Sequence, residues 1–208
     1  MARKTKEEAN NTRKRILCSA LDLFVKKGYE HTTFNDIASR LGFTKGAVYW
    51  HFKSKADLLA AILNEALDHF KTKLSVYLEG REPSFKVIAQ KMIEDAVLIV
   101  SNKRRRDFFM LVNRKIEWTD KTLAEIVAKL KKERSDGPYH TFINAVENDK
   151  KNGLVSETVN ACEVASASMA IWEGLILRHI EGFLECDLKE TLTNAFDVIW
   201  QGIKKEKI

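Results

Sequence analysis

This sequence predicts an all-α protein of about nine helices, and three observations carry the prediction. Its 208 residues contain only 2 prolines and 9 glycines, so few positions are marked for turns. Leu, Ala, Lys, Glu and Ile fill the stretches between them. Apolar residues recur at spacings of three and four, and nowhere alternate as a half-buried strand requires. With 45% hydrophobic and 31% charged residues, the composition is that of a folded globular chain and excludes a disordered one.

The elements follow in order. Ile16, Leu17, Ala20, Leu21, Phe24 and Val25 share one face of a first helix over about 12–27, with Gly28 as its C-terminal cap. Thr33 and Asp36 have the spacing of a capping box and open a short second helix, whose inward stripe is Phe34, Ile37, Ala38 and Leu41. Gly42 ends it. Thr44 opens a third helix only a turn later, and Ser54 with Asp57 opens a long fourth one to about Leu78. The clearest break is Glu79 to Pro83. Beyond it, helices are predicted over about 84–102, 105–117, 120–134, 138–151, 160–185 and 188–205. Asn160 and Asp187 serve as N-caps, and Asn152-Gly153 as a turn.

Two short helices joined by the tight turn Leu41-Gly42-Phe43-Thr44, within a three-helix unit, make a helix-turn-helix. Its core would be Phe24, Ile37, Leu41, Val48 and Phe52. Gly46, in the first turn of the third helix, costs about 1 kcal/mol against Ala. That cost makes sense where a base edge or phosphate must approach the backbone. Thr44 and Lys45 stand at a helix N-terminus, which favours anions. Tyr49, His51 and Lys55 add further donors suited to phosphate oxygens, while Trp50 reads as packing. Charge placement agrees: residues 1–65 hold 12 Lys/Arg and 7 Asp/Glu, a net +5 of the chain's +6.

The stretch TTFNDIASRLGFTKGAVYWHFKSKADLL, Thr32 to Leu59, resembles the signature of the TetR family of transcription regulators. The likeness includes the threonine opening the second helix, the Ile-Ala pair, the glycine of the turn, Lys45-Gly46-Ala47-Val48-Tyr49, His51-Phe52 and Lys55. The resemblance implies a homodimer whose third helices enter successive major grooves of a near-palindromic operator. It places Thr33, Thr44, Tyr49, His51 and Lys55 on phosphates, and Lys45 and Gly46 closest to base edges. Arg3, Lys4 and Lys6 would form a basic arm. It also implies two domains, a DNA-binding domain at 1–65 and a ligand-binding and dimerisation domain at 66–208.

Within the family, the opening Met-Ala-Arg-Lys-Thr-Lys and the Tyr-Trp-His-Phe quartet resemble repressors of multidrug efflux pumps. That implies an apolar, aromatic pocket for a small hydrophobic or amphipathic effector. Its candidate lining is Phe70, Phe85, Met92, Phe108, Phe109, Trp118, Phe142 and Trp172, with Glu94, Glu117 or Glu173 available to a cationic ligand. The last two helices carry small and large apolar groups suited to a four-helix dimer interface, chiefly Ala165, Ala170, Leu175, Phe196 and Trp200.

Other classes find little support. No phosphate loop, GxSxG or HExxH is present, and the five histidines are scattered, so no enzyme, cofactor or metal site is expected. Cys18, Cys162 and Cys186 form no CxxC pair, which fits a reducing, cytoplasmic compartment. Cys162 and Cys186 leave open an alternative, a redox-responsive regulator, and a further one needs no ligand at all. The start carries no apolar segment of a signal peptide, and the longest apolar run, Ala96 to Val100, cannot cross a bilayer, so no membrane partner is expected.

Overall fold

The computed structural model describes residues 6–116 and 137–205. These form α1 (Lys6–Lys27), α2 (Phe34–Leu41), α3 (Lys45–His51), α4 (Lys55–Tyr77), α5 (Phe85–Ser101) and α6 (Lys103–Met110), which passes into a π-helical turn at Leu111–Lys115. Then come α7 (Pro138–Lys151), α8 (Ala161–Ile180) and α9 (Leu188–Ile203). The one β-bridge among the described residues, Val155 with Lys204, is isolated. The all-α prediction therefore holds.

Two compact units result. The first contains residues 6–68 and, returning later, 107–116. Its core gathers Ile16, Phe24, Ile37, Val48, Phe52, Leu58 and Leu59. Leu111, fully buried, and Ile116 complete it, which is why the chain does not divide once at residue 65 as the sequence suggested. The second unit contains 69–106 and 137–205, so α4 supplies residues to both units.

In the second unit an aromatic cluster sits at the start of α5. The Phe85 ring lies 5.8 Å from Phe142 of α7, 6.3 Å from Phe196 of α9, and 5.9 Å from Trp200, on which it stacks. Ser84 caps α5, its hydroxyl accepting the Val87 N–H. The buried Asp149 carboxylate accepts the Phe85 N–H at 2.7 Å, tying α7 to the same helix start. Burial pushes that carboxyl above its ordinary range, against the pull of the Phe85 N–H. From α8, the Trp172 indole N–H donates to the Met92 carbonyl of α5 at 2.8 Å.

Several boundaries differ from expectation for local reasons. α1 begins at Lys6, with Glu7 and Glu8 in its first turn and Lys26 and Lys27 in its last, the charge order the helix dipole favours. Asn102 breaks α5 from α6, its side-chain oxygen accepting the Arg105 N–H. α8 stops at Ile180 rather than near 185, because Gly182 takes a left-handed φ of 78°. The helix expected over 120–134 lies outside the described residues, as do Arg3 and Lys4.

Candidate nucleic-acid interface

Local chemistry fixes the two helices of the motif. At α2 the Thr33 hydroxyl accepts the Asp36 N–H at 3.2 Å, while Asp36 Oδ2 accepts the Thr33 N–H at 2.9 Å. The Thr33 hydroxyl also donates to Asp36 Oδ2 at 2.7 Å, and Lys27 places its ammonium 2.6 Å from Oδ1. The Lys27 bond, with those from Thr33, holds the Asp36 carboxyl down to about 2, against the ordinary 3.8. A pKa depressed by folding contributes stability that is complete above 3.8 and lost as pH falls through about 2. Titration of the Asp36 carboxyl by NMR should therefore show a midpoint near 2. A midpoint near the ordinary value would mean that this cap does not form in solution.

Ala38, almost fully buried, lets α2 and α3 approach closely. Gly42 then turns the chain at φ 67°, a left-handed conformation that a Cβ would strain. The Phe43 N–H closes the turn onto the Ala38 carbonyl at 2.9 Å. Thr44 caps α3 through the Ala47 N–H, and Val48 is the one residue of α3 that is buried. Everything else on this short helix is half-buried or exposed.

That arrangement sets out the predicted contact residues. Lys45 and Gly46 are exposed at the start of α3. Tyr49 is 50% exposed, its ring held edge-on against Phe34 at 4.8 Å, with the Lys45 ammonium 5.6 Å from the ring centre. His51 is half-buried and packs edge-on against Trp50 at 4.5 Å. Gly46 is not required by the protein's own packing. A Cβ there would meet only Thr44 Oγ1, at 3.9 Å, and the backbone is not left-handed.

Three readings need correction. Trp50 is not packing: it is 73% exposed, on the side of α3 away from Val48. The Thr33 hydroxyl accepts from and donates to Asp36, so the capping box already uses it and leaves no proton for a phosphate. Lys55 has a structural task as well. Its ammonium donates to the carbonyls of Tyr29 at 2.8 Å and Glu30 at 2.9 Å, lies 3.8 Å from the Glu30 carboxylate and 4.4 Å from the centre of the Tyr29 ring, and so secures the turn after α1.

The predicted effector residues do not converge. Phe85, Met92 and Phe142 are nearly or fully buried as core of the second unit, with Phe85 and Phe142 in van der Waals range of each other rather than lining space. Phe108 and Phe109 belong to the first unit. Phe70 and Trp172 are half-buried, and Trp118 and Glu117 lie outside the described residues. Glu173 is half-buried, and desolvation raises its carboxyl pKa. A cleft of ≈ 320 Å³ does open between α4 and α5, lined by none of the eight predicted apolar and aromatic residues but by Glu94, one of the three carboxylates named for a cationic ligand. Of the proposed interface residues, Ala165 is fully buried and Phe196 3% exposed within their own chain, so neither can face a partner. Ala170 is exposed, and Leu175 and Trp200 are half-buried.

A tightly capped pair of short helices, the second exposing hydroxyl, ammonium and indole groups from a basic unit, defines a helix-turn-helix DNA-binding protein with an additional helical unit. The family model described as bacterial regulatory proteins, tetR family, matches residues 16–62. The transcriptional regulator TtgR of Pseudomonas putida is 33% identical over 187 residues, covering 86% of this chain and 84% of that protein. The chain belongs to the TetR family of bacterial transcription regulators. Two solved structures share the fold across nearly the whole chain. NalD, the secondary repressor of the MexAB-OprM multidrug efflux pump in Pseudomonas aeruginosa, has a TM-score of 0.75 at 23% identity, over 97% of this chain and 100% of that one. SmeT, repressor of the Stenotrophomonas maltophilia pump SmeDEF, solved with triclosan, has a TM-score of 0.76 at 24% identity, over 94% and 93%.

Proposed function

We propose that this protein is a repressor that binds a near-palindromic operator as a homodimer and is released by a small amphipathic molecule, and that it controls a multidrug efflux operon. The observation that carries the DNA reading is α3 itself, in which Val48 alone is buried and Lys45, Gly46, Tyr49 and Trp50 are exposed. The control of an efflux operon is supported by NalD and SmeT, both described as repressors of such pumps. Dimerisation is assigned to the outward faces of α8 and α9, where Ala170 and the 72% exposed Val198 leave apolar surface uncovered.

Repression follows from occupancy of the operator, and release from a shift in population. The effector selects dimers whose reading helices are wrongly spaced for half-sites about 34 Å apart. Such coupling is reciprocal: operator DNA must weaken effector binding by the factor by which effector weakens operator binding. Calorimetric titration of triclosan into free and operator-bound protein tests this. Weaker binding to the complex, matched by weaker operator binding in triclosan, is the expected result. Equal affinity for both forms would overturn triclosan-driven release.

A further inference from the structure

The cleft between α4 and α5 lies wholly within the second unit and is chemically unlike the aromatic pocket expected from the sequence. One wall is apolar and open: Val76 is 67% exposed and Leu98 42%, with the Tyr77 ring beside them. The other feature is Lys91, a lysine only 7% exposed. A buried ammonium is costly unless its protons are taken. Lys91 forms an ion pair with Asp95, one turn along α5, and lies 5.8 Å from the centre of the Tyr77 ring. One carboxylate oxygen and one ring face do not use all three protons of an ammonium.

We infer that this cleft binds an amphipathic molecule bearing a carboxylate or similar anionic group. The anion pairs with Lys91 and Lys73, and the apolar body lies along Val76, Tyr77 and Leu98. The acidic residues at the cleft do not reverse this choice. Asp95 and Lys91 neutralise each other, which leaves half-buried Lys73 against Glu94, and Glu94 is exposed on the rim, where it accepts a hydrogen bond from Gln90 and its charge is screened by solvent. At nearby His69, burial holds the imidazole below its ordinary range, with the charge of Lys73 adding to it. The cleft volume, ≈ 320 Å³, is at the small end of ligand pockets and suits a compact aromatic acid.

This inference rests on the reading of the protein as an effector-controlled repressor and names the class of effector. An occupant of the cleft touches α4, the helix that supplies residues to both units, so binding there can bias α4.

The test uses the full-length protein and three probes with one ring system: 2-naphthoate, 2-naphthalenemethanol and 2-naphthylmethylammonium. The expected result is that naphthoate binds at least about ten-fold tighter than either other probe, the worth of one charge-assisted hydrogen bond. It should also weaken operator binding. Lys91→Met combined with Asp95→Asn removes the buried pair without stranding a charge, and is expected to cost naphthoate about ten-fold or more. Should that variant fail to fold, Val76→Asp, at an exposed position, is expected to produce the same loss. Equal binding of the three probes, preference for the cation, or naphthoate binding unchanged in the folded variants would overturn the site. Naphthoate bound in the cleft with operator affinity untouched would overturn its role as effector site. Neither failure bears on whether the dimer reads DNA, which is decided by duplex selection.

Discussion

Gly46→Ala is expected to make the protein more stable and a far worse DNA binder. Alanine in place of an exposed helical glycine contributes about 1 kcal/mol. Nothing in the protein opposes the methyl group, since the backbone at Gly46 is not left-handed and the nearest atom is 3.9 Å away. The space that the glycine leaves open is therefore outside the molecule. If α3 lies in the major groove with Gly46 against a base edge, the methyl displaces the helix. The loss should then be comparable to that of a good base contact, about 1–3 kcal/mol, or roughly five- to 150-fold in affinity. Thermal melting and fluorescence anisotropy on the operator measure the two effects separately. Higher stability with unchanged affinity would mean that DNA does not approach the backbone here.

Phe142→Ala should have the largest effect on stability. Phe142 is fully buried, with ring centres of Phe85 and Phe196 at 5.8 and 6.0 Å. Truncating such a side chain costs about 3–5 kcal/mol, the transfer of the ring plus the cavity left behind. Urea unfolding followed by circular dichroism checks it. A loss below about 1 kcal/mol, together with impaired effector binding, would identify Phe142 as a pocket wall after all. The same comparison at an exposed cleft residue such as Val76 should show the reverse pattern.

The contrast between these two residues reflects what a sequence can carry. The reading unit was legible because its determinants are local. Thr33 and Asp36 cap α2, Gly42 turns the chain, and Thr44 caps α3, each within four residues of what it controls. Trp50 was also within reach of the sequence: it stands roughly 200° around the helix from Val48, so once Val48 is core, Trp50 points away. The second unit was less legible because its questions are tertiary. Helical periodicity groups Ala165 with its apolar neighbours and Phe196 with Leu192, but does not say whether a face meets the same chain or a second copy. Nor do aromatic residues announce whether they fill a core, as Phe85 does, or line a cavity. The return of Leu111 and Ile116 to the first unit is a long-range event with no local mark. Lys91 and Asp95 did leave a signal, an i,i+4 charge pair within a mostly apolar helix.

The central claim, that a dimer reads a specific operator through α3, is tested most directly by selecting duplexes from a random pool with the purified protein. The winning duplex is then titrated with salt. The account predicts a near-palindromic consensus with half-sites about one helical turn apart or a multiple of it, and a steep loss of affinity as salt rises. Enrichment of no sequence, or of a single half-site without its symmetric mate, would contradict it.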